Sequence, residues 1–498
     1  MQEVRFSPNT AMAVVVANMI GTGVFTSLGF QLLDIQSGFV LMMLWAVGGL
    51  TALCGALSYA ELGAALPRSG GEYNFLSEIY HPAAGYVSGW VSATIGFAAP
   101  TALAAITFGT YLASVFPSLS PTWLACGLVL ALTAVHASSR RNSGGVQRAF
   151  TVLKVLLILG FCVLAWVLVG EPQDVRFLPA AGDGGLLASG AFAVALIYVN
   201  YAYTGWNAAT YLTSELDDPQ RNLSRVLIVG TLVVMGLYLL LNFTFLHVAP
   251  MDAMAGRIEI GYVAATHAFG GAGASIMGVI LAALLISTVS AMVLAGPRVL
   301  QVMGQDFRAF RLLARTNRHG VPDLAVALQS GLALTFILTA SFESILVFAG
   351  FTLGLNTFFS VLGVFVLRWR RPDLPRPYRA AAYPLPPLIF LGFTGWTLTY
   401  ILLERPQEGL LGLGIVATGA LFYWLTVKAG GVRRNPAAAP RLRCHHPRSR
   451  DDAQLVDRWR RRRRSRYAAQ VRPGPGERPG TPAPGTCHAV GRRGQVAS

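Results

Sequence analysis

Three places in the sequence carry residues whose types and spacing suit chemistry. Gly21-Thr22-Gly23 sits in the middle of an apolar stretch, 10–31. Thr204-Gly205-Trp206-Asn207 interrupts another, 186–212, and Lys154 is the only basic residue well inside an apolar run. Gly costs about 1 kcal/mol against Ala in a helix interior and permits positive φ, so Gly-Thr-Gly is suited to breaking a helix. A break frees backbone amides at the start of the following half-helix, whose positive end attracts an anion such as a carboxylate. It also frees carbonyls at the end of the preceding half, which favour a cation. The competing reading is close packing of small residues against a neighbouring helix.

The elements that must hold these residues are long and oily. Of 498 residues, 54% are hydrophobic and 12% charged, with mean hydropathy +0.53; soluble domains carry about 25% charged residues. Runs of roughly 20 apolar residues, enough to cross about 30 Å of hydrocarbon as a helix, recur at 10–31, 38–65, 84–116, 121–138, 148–170, 186–212, 223–247, 273–298, 324–341, 344–368, 383–403 and 408–428. The expected fold is an all-α membrane protein of about twelve transmembrane helices. The polar N-terminus and long first run do not read as a cleaved signal peptide. Within lipid a helix break is tolerated only where it lines a cavity. The two breaks fall in the first and sixth runs, as a five-plus-five inverted repeat with discontinuous first and sixth helices requires. That places the repeats at about 10–170 and 186–368, with two extra helices over 383–428. The symmetry is positional; the halves share no residue-level identity.

Charge orients the chain. With the N-terminus inside, the inner loops up to residue 383 hold seventeen arginines, and the outer loops hold only Arg176, Arg257 and Arg405. The positive-inside rule then puts both termini in the cytoplasm. The net charge of +16 belongs mostly to the end of the chain: up to residue 430 there are 22 basic and 19 acidic residues, beyond it 17 and 4. Residues 431–498 read as a basic, disordered cytoplasmic tail. Anionic lipid is one partner for its arginines and nucleic acid a less expected one. With 37 arginines and two lysines in the whole chain, out-of-frame reading of GC-rich DNA is the rival account of the tail. Cys54, Cys126 and Cys162 fall in spans, Cys444 and Cys487 in the tail, and none in an outer loop, so no disulfide-linked heavy chain is expected. His136, His247 and His267 lack metal-ligand spacing, and no metal or cofactor is called for.

Longer motifs then accumulate. IGTGVF (20–25), GALSYAELGAALPRSGGEYNFL (55–76), VQRAFTVLK (146–154) and YAYTGWNAATYLTSELDDPQRNLSR (201–225) together resemble the amino acid–polyamine–organocation transporter superfamily, closest to its L-type amino acid transporter branch. The resemblance covers roughly residues 8–428. It implies that the amides around Ile20, Gly21, Thr22 and Gly23 hold a substrate α-carboxylate. Carbonyls near Tyr201, Ala202 and Thr204 would hold the α-ammonium. Tyr201 stands where relatives carry a gating aromatic, and Asn207 would line the side-chain pocket. Thr204-Gly205 replaces the Gly-Gly of many relatives, which narrows the pocket against large aromatic substrates.

An ionisable residue inside a span is a functional hypothesis by default. In the resemblance, Lys154 matches a fifth-span lysine that occupies the place of sodium, acting as a fixed cation or a proton carrier. Snorkelling is the competing reading, but Lys154 lies about a turn and a half inside its span. Glu61 and Glu215, at the inner ends of their spans, are candidates for ion pairs with Arg68 or Arg221, a solvated loop face being the competing reading. The leading function is sodium-independent secondary transport of neutral amino acids by alternating access. No acidic residue falls near the middle of a span, which disfavours the alternative of cationic amino acids or polyamines. A non-transporting amino acid sensor of the same fold is the other alternative. No H-E-x-x-H, G-x-S-x-G or intramembrane carboxylate pair points to an enzyme.

Overall fold

The computed structural model describes residues 7–138, 144–307, 310–317 and 320–428. The basic tail and the arginines at 5, 140, 141, 308 and 318 lie outside the described residues, as do the side chains of Arg148 and Glu215. Every regular element described is helical. The first apolar run is two helices, α1 (Pro8–Met19) and α2 (Gly23–Gln31). Ser7 caps α1 through the Thr10 amide, with Pro8 at its first position, where a missing N–H costs nothing. Helix α3 (Gly38–Ala65), capped by Ser37, is followed by a tight loop, α4 (Glu72–Ile79) and α5 (Pro82–Val91). A π-turn over Ser92–Gly96 joins α5 to α6 (Ala98–Val115). Next come α7 (Pro121–Ser138), α8 (Gly144–Leu168) and short α9 (Asp183–Leu187).

The sixth run is α10 (Gly190–Tyr203), an irregular turn, and a 3-10 helix over Ala208–Glu215. Helix α11 (Pro219–Val248), short α12 (Met251–Met254) and α13 (Ile260–Asp306) follow. Helix α13 starts before the expected 273, because residues 260–269 form a helix of their own that turns a corner at Gly270 (φ 71°). The bundle ends with α14 (Asp323–Thr339), α15 (Phe342–Arg370), α16 (Leu385–Glu404) and α17 (Pro406–Lys428).

Nine helical segments among the described residues are long and apolar enough to cross a membrane. Three shorter apolar helices, Pro121–Ala137, Gly190–Tyr203 and Asp323–Thr339, stand at further expected spans. Leucines and valines of α8 and α17 point outward, Val163 and Leu410 among them; such an apolar exterior suits lipid rather than water. The chain is a multi-pass membrane protein.

The core sits where the two broken runs meet their neighbours. Helix α10 packs on α2, α3, α15 and α16, and α1 on α8 and α11. Helix α13 lies along α6. Trp45, Tyr203 and Tyr238 form a buried aromatic wedge, with ring centroids 5.0–6.1 Å apart.

Candidate substrate site

Helix α1 ends at Ile20, whose backbone (φ −73°, ψ 78°) leaves the helical region. The break covers Ile20, Gly21 and Thr22, so Gly23 opens the second half-helix rather than lying in the break. The amides of Ile20 and Gly21 are already engaged, donating to Val16 O (2.9 Å) and Met19 O (2.7 Å). The amides of Thr22 and Gly23 meet no acceptor among the described residues. They stand at the N-terminus of α2, where the partial positive charge of a helix end lies.

The second break runs from Thr204 to Asn207, with Gly205 at φ 109°, a backbone conformation reserved for Gly. The two breaks are in direct contact. A Cβ on Gly23 would lie 2.4 Å from Ala202 Cα, and a Cβ on Gly205 would lie 2.8 Å from the carbonyl carbon of Asn18. Each break therefore needs its glycine so that the other can approach.

Of the carbonyls at the end of α10, Tyr201 O accepts from the Thr204 amide (2.9 Å), and Ala202 O accepts from the Tyr238 hydroxyl (3.0 Å). The same hydroxyl reaches Met19 O at the end of α1. A tyrosine has one proton to donate, so it serves one carbonyl at a time. A carbonyl carries two lone pairs, so Tyr201 O and Ala202 O each retain acceptor capacity.

Gly21, Thr22, Gly23, Tyr201, Ala202, Thr204 and Asn207 line one cavity of about 340 Å³. Ile20 does not. Its side chain is buried, and its carbonyl accepts from Lys154 Nζ at 3.0 Å. Lys154 also donates to Thr288 Oγ1 on α13 at 2.9 Å and is only 4% exposed. It stands behind the first break, tying α1 to α13 through α8, rather than in the cavity itself. Thr288 lines the cavity on its other side.

The cavity runs from the breaks toward the face that carries the N-terminus, where half-buried Ser69 and Tyr73 and exposed Arg298 line it. Away from that face it stops at Tyr201. Beyond lie the rings of Phe30, Tyr198 and Phe342, with centroids 5.6–5.8 Å apart. There Glu343 accepts from the Tyr198 hydroxyl (2.8 Å) and from Arg405.

Sequence reasoning missed Glu72. It is 1% exposed, yet it belongs to the cavity wall. Its carboxylate accepts from Tyr59 (3.0 Å), Asn207 and Tyr211. Glu72 lies outside the expected spans, and it reaches the cavity because the loop at Gly70-Gly71, both with positive φ, turns the start of α4 back into the protein. The doubled glycine was the available signal. Tyr238 was missed as well; nothing in its local sequence distinguishes it from a core tyrosine.

The partner expected for Glu61 is also corrected. Arg368 grips it with two bonds of 2.8 and 2.7 Å, Arg376 stands 3.6 Å away, and the Ala380 amide donates at 2.7 Å. The end of α3 faces the end of α15, not its own following loop. Arg221 instead approaches Asp218, at 3.9 Å. Cys54, Cys126 and Cys162 are buried in helices, and no cluster of metal-ligating side chains occurs among the described residues.

Comparison with known proteins adds the remaining evidence. A family model described as amino acid permease matches residues 6–426. The human "Large neutral amino acids transporter small subunit 2" is 30% identical over 436 residues, covering 84% of this chain and 79% of that one. The mouse "Asc-type amino acid transporter 1" is 28% identical, with 84% and 80% covered. The mouse "b(0,+)-type amino acid transporter 1" is 26% identical, with 84% and 87% covered. With the match running through both breaks and every described helix up to α17, the chain belongs to the amino acid permease family of the amino acid–polyamine–organocation superfamily, a transporter rather than an enzyme.

Proposed function

We propose that this chain carries neutral amino acids across the cell (inner) membrane, independently of sodium, by alternating access around the two breaks. The α-carboxylate sits on the Thr22 and Gly23 amides at the start of α2. The α-ammonium takes the carbonyl lone pairs at Tyr201 and Ala202, where α10 ends. Tyr201 covers the substrate away from the N-terminal face, and Thr204 and Asn207 bound its side chain.

The observation that carries the reading is Lys154. Its ammonium lies between Ile20 O and Thr288 Oγ1, bridging the break to α13 as a fixed cation or a proton carrier in the place of a bound sodium ion. A buried charge is retained only where it does something. Neutral substrates fit because the one carboxylate in the wall, Glu72, is already held by three donors. Two of the relatives are named for large neutral amino acids and for Asc-type transport. The arginine distribution supports cytoplasmic termini, and the buried cysteines support action without a disulfide-linked heavy chain.

The test uses purified protein in liposomes with labelled alanine, serine, leucine and phenylalanine outside. Vesicles are preloaded or empty, with and without a proton gradient, in sodium and in choline. Uptake only into preloaded vesicles identifies an exchanger; gradient-driven uptake into empty vesicles identifies a proton symporter. Either, unchanged in choline, supports the proposal. Sodium-dependent uptake overturns sodium independence, and binding without flux identifies a sensor.

A further inference from the structure

On the face away from the N-terminus, three side chains from three parts of the chain meet at one carboxylate oxygen. The Tyr198 hydroxyl of α10 donates to Glu343 Oε1 at the start of α15 (2.8 Å). The same oxygen accepts from Arg405 Nη2, in the turn between α16 and α17. None of the three lines the substrate cavity. Resting on the transport reading above, we infer that they form the latch of the closure over Tyr201, and that Arg405 brings the last two helices into it as a positioning residue.

The geometry gives each residue its part. Tyr198 lies one turn before Tyr201 on α10. Phe30 of α2 packs on the Tyr198 ring (centroids 5.8 Å apart) and stacks on Phe342 of α15 (5.6 Å). Parting these rings separates α10 from α15, and that separation breaks the bond from Tyr198 to Glu343. The bond therefore belongs to the closed form alone and biases the balance toward it. The carboxylate is held from its other side by Arg405. Glu408, three residues further on, accepts from Ser344 Oγ (3.1 Å), so the start of α17 is tied to the start of α15 a second time. The Arg405 and Glu343 side chains are 38% and 24% exposed, and a pair so wet contributes little by itself. Tyr198 is 3% exposed, and its hydroxyl bonds a charged acceptor, the stronger kind of contact.

The test reads opening directly. Phe342 faces α2, and a Cβ on Gly350 would lie 2.8 Å from Ile197 Cγ1 of α10. Leu346, four residues from each, shares that face of α15 and is fully buried. Leu346→Cys is introduced into the full chain, and its reaction rate with a membrane-impermeant thiol reagent is measured in cells or inverted vesicles. Protease sensitivity of an N-terminal tag identifies the preparation whose outward face is the one opposite the N-terminus. Relative to Leu346→Cys alone, added Tyr198→Phe should raise the rate about threefold to tenfold, the size of one hydrogen bond. Added Arg405→Gln should raise it about twofold to fourfold. Both act through one carboxylate, so the two together should give less than the product of their effects. Arg176→Gln, whose parent side chain bonds Pro179 O in another exposed loop, should leave the rate unchanged. Equal rates in every background, a response to Arg176→Gln as large as that to Arg405→Gln, or a response to Tyr198→Phe without one to Arg405→Gln would each overturn the inference and leave the transport reading standing. The expected thiol responses in a chain that carries no amino acid into liposomes would overturn the transport reading and leave the latch.

Discussion

Gly23 of the first break rests on Ala202 of the second, with no room between them for a methyl group. Gly21, two residues earlier, is different: a Cβ there would meet its nearest atom at 3.8 Å. The two glycines of one motif therefore do separate work. Gly23→Ala forces the half-helices apart, a backbone shift that costs about 1–3 kcal/mol and displaces both ends of the site. Transport should fall at least tenfold. Gly21→Ala should express and fold as the wild type, with a smaller loss of transport. Parallel assay of the two variants in liposomes checks the difference; equal losses would count against the contact.

Lys154 has no acidic partner among the described residues; its hydrogen bonds run to a backbone carbonyl and a threonine hydroxyl. Lys154→Ala removes the bridge from Ile20 to Thr288 and should cut uptake by more than tenfold while leaving the protein monodisperse in detergent. Transport by Lys154→Ala equal to the wild type at every pH would remove this residue from the mechanism.

The Tyr238 hydroxyl reaches carbonyls at the ends of both α1 and α10, so it holds the two breaks in register beside the proposed ammonium site. Tyr238→Phe keeps the ring in its aromatic wedge and deletes only that bond, worth roughly 0.5–1.5 kcal/mol. The expected signature is a severalfold rise in KM for alanine with little change in maximal rate. A fall in maximal rate at constant KM would instead place Tyr238 in the conformational step.

Glu61 tests stability rather than binding. Its side chain is 2% exposed and grips Arg368, which is 26% exposed and lies over the Tyr383 ring at 3.6 Å. Breaking a buried pair by removing one partner costs roughly 3–5 kcal/mol, and the partial exposure of Arg368 favours the lower end. Glu61→Ala should lower the melting temperature in detergent by several degrees. KM of the protein that survives should stay close to the wild-type value, as Glu61 does not line the cavity. A raised KM at unchanged melting temperature would contradict this assignment.

The breaks were legible because Gly-Thr-Gly and Thr-Gly-Trp-Asn fall in the first and sixth apolar runs, where an inverted repeat places them; mid-span glycines such as Gly48 and Gly49 of α3 serve close packing instead. Lys154 was legible for a different reason: the membrane makes a buried charge costly enough to be conspicuous. What stayed hidden depended on distance along the chain. Glu61 and Arg368 are 307 residues apart, and no local pattern pairs them. Glu72 sits between two apolar runs, and only the turn at Gly70-Gly71 brings it inward. The reach of Tyr238 to two carbonyls depends on how three helices cross, which periodicity does not encode. The boundaries of α13 were misjudged because Gly270 bends a helix without ending its apolar run.

The closure over Tyr201 has a consequence for how the two sides of the membrane would compare. In this form the site is reached from the N-terminal face, while Phe30, Tyr198 and Phe342 stand between it and the other. On the alternating-access reading proposed above, substrate arriving there would bind only the fraction of molecules in which those rings have parted, and its apparent dissociation constant would be the intrinsic one divided by that fraction. Were that fraction about 1%, one unchanged set of contacts would register roughly a hundredfold weaker from one side than from the other. Sidedness of affinity would then report the population of closed molecules and nothing about the chemistry of recognition.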